Sequence, residues 1–389
     1  VNQVLDELEK HSSEWQERNI LAKLIKSCAN VIKDTATSDR LVILSEQFLG
    51  HHITSPSSSE EEELIHMGIN MPIGMVAEAL TKLTIKLLDN NIPLPDLLLK
   101  NLRRFSNHEH PAVRAVILRY TPYLKTKSWD LGWEIFNNTI RKSTGLWKIA
   151  EPFMYYNYHD NPEEIKILLE RITIAGKGKD LETWGRISAL TILLDQNNLN
   201  IFLDKLSALD SAAAWDGAAS VWSHPINIIK HRELCLEGLK MGLSINNKHA
   251  LSVVNKMTVT FNTEDHTAII PTTLIKDYFS VLEQEKNLTN NDHICLGFQD
   301  WLNKIIEHDI QKALDATEIF LNHIHKTNLP IYDHNNNFPQ LLTRFFGMAE
   351  ELEETDQGTM LQRVVAVQDK LLLIGNSDIV EWLKAAERP

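Results

Sequence analysis

His110 to Ile140, HPAVRAVILRYTPYLKTKSWDLGWEIFNNTI, is the stretch on which the fold turns. Pro111 sits at a helix start, where its missing N–H costs nothing. Behind it Ala112, Val113, Val116, Ile117, Tyr120 and Leu124 recur at helical spacing and predict one amphipathic helix. After Lys125 to Ser128 the same plan begins again, with Trp129, Trp133, Phe136 and Ile140 on one face. The join is short, so the two helices are expected to lie antiparallel. Val113 faces inward in this reading, and Arg114 beside it emerges between repeats as a structural arginine.

Outward from this stretch the plan repeats. Two helices are expected over residues 17–50 and a pair over 71–105. Further pairs follow: 146–158 with 161–174, 181–196 with 199–208, 211–222 with 226–242, 247–261 with 270–286, and 292–307 with 309–326. Helices at 338–353, 357–374 and 377–387 close the chain. A helix pair about every 35 to 40 residues is the period of helical solenoids of the HEAT class. One pair cannot bury its own apolar face, so stacked neighbours supply the core. The expectation is an all-α, HEAT-like solenoid, a right-handed superhelix of antiparallel helix pairs. Residues 1–62 read as N-terminal helices ending in the Ser/Glu-rich loop HHITSPSSSEEE (51–62), and 63–389 as the repeat array with its C-terminal caps. TNLPIYDHNNN (327–337) reads as a longer connecting loop.

Composition agrees with an array. At 389 residues the chain exceeds the usual size of a single core, and Gly (15) and Pro (13) are sparse. A formal net charge of −13 argues against phosphate backbones and anionic lipid as partners. Cys28, Cys235 and Cys295 are too scattered for a disulfide framework or a zinc knuckle, which fits a reducing cytosol. Asn137-Asn138-Thr139 and Asn287-Leu288-Thr289 match the glycosylation pattern by chance in a chain without a secretory segment. No apolar run is long enough to span a bilayer. The chain opens at Val1 directly into the amphipathic Val4, Leu5, Leu8, and is expected to belong to something longer.

Catalytic and cofactor signatures are not found. Ala175-Gly176-Lys177-Gly178-Lys179-Asp180 has neither the spacing nor the hydroxyl residue of a phosphate loop and follows a helix, so it reads as a turn. His108 with His110, and His323 with His325, are two apart and diverge on a helix. Glu63 with His66 has the spacing of a di-iron ligand pair but no partner motif. There is no nucleophile elbow, no zincin motif and no deaminase signature. No catalytic, cofactor-binding or metal-binding residue is nominated, and the chain reads as a non-enzyme.

Aromatic residues carry the functional reading. Trp147, Phe153, Tyr155, Tyr156 and Tyr158 crowd one segment, and adjacent Tyr155 and Tyr156 cannot both enter one core. The rings either pack on a neighbouring repeat or, like many Tyr and Trp residues at contact centres, meet a partner. Trp215, Trp222 and His224 pose the same choice. Tyr155, Tyr156, Tyr158 and Trp222 are the candidate protein-binding residues.

NMPIGMVAEALTKL (70–83), HPAVRAVILRYTPYLKTKSWDLGWEIF (110–136) and EPFMYYNYHDNPEEIKILLERI (151–172) together resemble the C-terminal helical-repeat region of large bacterial STAND NTPases, the NLR-like antiviral proteins of the Avs type. So do ISALTILL, GAASVWSHPI, RELCLEGLKMGL and residues 338–375, and the likeness spans roughly 64–389. The Ser/Glu loop and the Asn tract 335–337 have no counterpart in the pattern. The resemblance implies a cytoplasmic bacterial sensor that recognises a phage protein, and so releases an upstream NTPase core to oligomerise and activate an effector. Two other readings compete with it. One is a repeat scaffold joining host subunits. The other is a HEAT-like DNA glycosylase, whose basic cleft the acidic balance argues against.

Overall fold

The computed structural model describes residues 1–11, 18–50, 61–141, 145–195, 198–262, 270–284, 292–328, 337–374 and 380–381. Among these the regular structure is entirely helical, so the chain is all-α. It divides into two compact units, Val1–Ile187 and Ser188–Pro389.

The first unit holds α1 (Asn2–Lys10), α2 (Arg18–Ala29), α3 (Thr35–Glu46), α4 (Glu61–Asn70), α5 (Pro72–Asp89) and α6 (Asp96–Ser106). It continues with α7 (Pro111–Leu118), α8 (Thr121–Lys127), α9 (Trp129–Ile140), α10 (Trp147–Tyr155), α11 (Pro162–Ala175) and the greater part of α12 (Lys179–Leu194). Pro72, Pro111 and Pro162 open α5, α7 and α11, where a proline loses no hydrogen bond. Asp34 caps α3 through the Thr37 N–H at 2.8 Å. Helices pack in two rows: α3 on α6 and α6 on α9, and beside them α2 on α5 and α5 on α7. The next helix, α10, packs on α7 and α8.

The second unit holds α13 (Leu199–Leu209), α14 (Ala212–Trp222), α15 (Pro225–Lys230), α16 (Arg232–Gly242), α17 (Ala250–Asn262), α18 (Thr272–Gln284), α19 (Asp292–Ile305), α20 (Ile310–Thr327), α21 (Asn337–Asp356) and α22 (Thr359–Ile374). Here α14, α17, α19 and α21 form one row, each packed on the next, and α16, α18, α20 and α22 form the other. Packing each helix on a later one of the same row buries the face that a single pair leaves open.

Two sequence expectations need revision. The stretch 111–127 is two helices, broken at Arg119 and Tyr120. Pro122 has no N–H to give the Leu118 carbonyl, and its ring would clash there. The Thr121 hydroxyl takes that carbonyl instead, at 2.8 Å. The expected helix 226–242 is likewise broken, at His231, whose φ of −132° and ψ of 45° leave helical space. Within the first unit one apolar cluster runs from Leu5, Leu21 and Leu41 through Val76 and Leu102 to Ile135.

On α9, Phe136 and Ile140 are buried, whereas Trp129 is exposed and carries Lys125 Nζ 4.0 Å from its ring centroid. Arg114 is buried, and its Nη1 donates to the main-chain oxygen of Thr139 at 2.9 Å. It thus ties α7 to the C-terminal end of α9, where helix carbonyls await donors. The loops read at 51–60 and 329–336, and the helix read at 377–387 apart from Val380 and Glu381, lie outside the described residues.

Candidate protein-contact site

The candidate site begins with the short helix α10, WKIAEPFMY. Asp180 sets its start. The side chain is buried, and its two oxygens accept the N–H groups of Gly145 at 3.0 Å and Trp147 at 3.1 Å. Burial pushes the Asp180 carboxyl above its ordinary range, against the pull of those N–H donors. The GKGKD segment is a turn at Gly176–Gly178 that leads into α12: Gly176 ends α11, Gly178 takes φ +52°, and Asp180, in the first turn of α12, bonds the approach to α10.

Below the site, α10 is bolted to α12 by charge. Glu151 receives Lys148 Nζ at 2.8 Å, the Thr183 hydroxyl at 2.7 Å and the Arg186 guanidinium. Glu182 takes the same two cations, Lys148 at 3.1 Å and Arg186 at 2.6 Å. Burial opposes the Glu151 charge, but these partners outweigh it and hold the carboxyl below its ordinary range. Phe153 anchors the apolar side. It stacks on Phe136 with centroids 3.9 Å apart at 11° and meets the edge of Trp133 at 4.8 Å.

The helix ends at Tyr155. Asn157 is fully buried; its side-chain nitrogen donates to the Phe153 carbonyl at 2.6 Å, and its oxygen accepts from Asn161 at 3.2 Å. That anchor points inward and turns its neighbours outward. Tyr155 is 50% exposed and Tyr156 67%, and Tyr158 is half-buried. The Tyr155 and Tyr156 rings meet edge to face at 5.6 Å, and Tyr158 leans on Tyr155 at 6.1 Å. Burial and the neighbouring Tyr155 push the Tyr158 hydroxyl up, so it stays protonated. Exposed Tyr155 and Tyr156, with half-buried Tyr158 against them, thus form one shelf on this base. Such rings offer large contact area with little entropy to lose.

Trp222 does not belong to it. Its side chain is 0% exposed and lies in the core of the second unit, with Phe202 at 5.9 Å and Trp215 at 6.5 Å. Gly238 on α16 makes the room; a Cβ there would sit 2.5 Å from the indole. Trp222 is corrected from candidate contact to core residue. Trp215 is buried as well, and His224 is exposed at the start of α15.

The other sequence candidates resolve into local roles. His110 Nδ1 accepts the Ala112 N–H and caps α7, while His108 Nδ1 accepts the N–H of His110. His66 meets Asn70 on its own helix, and His323 is buried against Phe279. Cys28 and Cys235 are buried thiols whose pKa burial pushes up, Cys235 to about 12. Among the described residues no group of three His, Cys, Asp or Glu side chains could hold a metal ion, and no helix is long and apolar enough to cross a membrane.

Sequence reasoning missed a second charged cluster. Glu78 on α5 is buried and takes Lys26 Nζ from α2 at 2.6 Å, Lys82 Nζ at 2.7 Å and the Tyr120 hydroxyl at 2.6 Å. Only Lys82, four residues on, was within reach of a helical spacing argument. No protein-family model, curated protein or solved structure matches this chain.

Proposed function

We propose that this chain is a non-catalytic recognition region, a helical-repeat array that docks a partner protein on the Tyr155–Tyr156–Tyr158 shelf. The observation that carries the proposal is the pair of large, outward tyrosines held on a base of buried Phe153 and Asn157 and ion-paired Glu151. A few aromatic anchors on a rigid support supply most of the energy of typical protein interfaces. Row-on-row packing inside each unit supports the solenoid reading, whose extended surfaces suit large partners.

The resemblance to STAND antiviral NTPases supports the finer form of the proposal. In that form the partner is a phage protein, the chain works in the bacterial cytoplasm, and docking permits activation of an NTPase core and effector elsewhere in the parent protein. A sensor of this kind must bind its ligand more tightly in the activated state than at rest. The test is capture by the purified chain from phage-infected and uninfected bacterial lysates, read by mass spectrometry, with Tyr155→Ala/Tyr156→Ala alongside. A phage protein enriched only after infection, and lost by the double variant, is the expected result. The same host protein captured from both lysates would favour a host scaffold, and capture that survives the double variant would remove the shelf from the account.

A further inference from the structure

The exposed aromatics of the first unit differ in one respect. Tyr123 and Trp129, each 47% exposed, are both covered by the chain's own lysines, with Lys127 Nζ 5.2 Å and Lys125 Nζ 4.0 Å from the ring centroids. Half-buried Tyr120 has Lys82 at 5.5 Å and Arg119 at 5.9 Å, and buried Trp147 has Arg171 at 5.1 Å. Among the described residues, no Lys or Arg lies over Tyr155, Tyr156 or Tyr158, the most exposed group of rings.

The charge of the adjoining sequence has the complementary sign. From Ile149 to Ile165 the sequence contains no Lys or Arg; Glu163 and Glu164 are exposed beside the tyrosines in the chain, as is Asp160, which meets His159 Nδ1 at 3.1 Å. Glu151, the remaining carboxylate of this segment, is already neutralised by Lys148 and Arg186. Negative ring faces and exposed carboxylates on one short segment attract a cation and repel an anion.

We infer that the shelf is built for a cationic segment of a partner protein, with a Lys or Arg side chain seated over Tyr155 and Tyr156 and the exposed carboxylates of Glu163 and Glu164 adding to the attraction. The inference rests on the recognition role proposed above and adds the chemistry of the partner. Arginine fits better than lysine, because its planar, weakly hydrated guanidinium stacks on a ring while its N–H groups reach carboxylates.

The test uses the full chain and two fluorescein-labelled peptides, Gly-Gly-Arg-Gly-Arg-Gly-Gly and the same peptide with citrulline for arginine, which keeps the shape and removes the charge. Binding is read by anisotropy. The arginine peptide is expected to bind at least about fivefold more tightly than the citrulline peptide. That preference should vanish in Tyr155→Ala/Tyr156→Ala and persist in Tyr155→Phe/Tyr156→Phe, which keeps both ring faces. Equal binding of the two peptides, or a preference that survives the alanine pair, overturns the inference. If the peptides bind equally while the alanine pair still abolishes capture of the lysate partner, the cationic inference alone fails. If the arginine preference maps to the shelf but lysate capture ignores the alanine pair, the recognition role fails instead.

Discussion

Trp222 lies against Gly238 so closely that a methyl group on the glycine would come within 2.5 Å of indole Cδ2 and 2.6 Å of Cε2. A glycine inside α16 gives up helix propensity, roughly 1 kcal/mol relative to alanine. It is tolerated because the Trp222 indole of α14 occupies the space. Gly238→Ala is therefore expected to lower stability by about 1 to 3 kcal/mol, as overpacking does, despite the better helix former. Thermal denaturation followed by circular dichroism checks it, and an unchanged or raised Tm would contradict the packing.

The Glu78 cluster predicts a pH dependence. Burial works against the charge, but Lys26, Lys82 and the Tyr120 hydroxyl hold the carboxyl down at about 2 in the folded chain. A carboxyl with a depressed folded pKa stabilises above its unfolded value and loses that contribution as pH falls toward the folded one. The window is therefore from about pH 5 down to about pH 2, and the contribution at neutral pH is on the order of 3 kcal/mol. Glu78→Gln should be less stable at neutral pH and should lose less stability across that window. Parallel curves for the two proteins in urea titrations at stepped pH would refute the assignment.

Asp180 predicts a local effect. Its carboxylate satisfies the N–H groups of Gly145 and Trp147 at the approach to α10. Asp180→Ala should cost about 1 to 2 kcal/mol, the usual value of a lost cap, and should raise amide exchange in α10 more than in α5. Uniform exchange changes across both helices would argue against a capping role.

The shelf and its base should respond in opposite ways. Phe153→Ala removes a stacked, fully buried ring and is expected to cost about 3 to 5 kcal/mol. Tyr156→Ala removes an exposed ring and should stay within about 0.5 kcal/mol of the parent. Chemical denaturation of the pair decides it; a Tyr156 variant as damaged as the Phe153 one would mean that the tyrosine is structural.

Much of this was legible in residue spacing. Helical recurrence of apolar positions marked out nearly every helix, and Pro111 and Pro162 open theirs as the local chemistry requires. Arg114 was readable as structural because it follows an inward Val113, and it does span two helices. Pro122 was readable too, but the apolar period across it is unbroken and masks the break it causes. Trp222 was not legible. The room for its ring depends on Gly238 in a different helix, and a single sequence does not say which glycine faces which indole. Glu78 failed for the same reason, since the Tyr120 hydroxyl that meets it is 42 residues away. The tyrosine shelf was half legible. Adjacent Tyr155 and Tyr156 had to send at least one ring outward, but that both emerge depends on where Asn157 is anchored.

The most direct test is the affinity of the captured partner for the parent chain and for Tyr155→Ala/Tyr156→Ala, measured by titration calorimetry on material whose melting temperatures agree. An anchor pair of this kind should cost at least about 2 kcal/mol, roughly a thirtyfold loss of affinity. A dissociation constant unchanged by the double substitution would place the binding surface elsewhere on the chain and contradict the account at its centre.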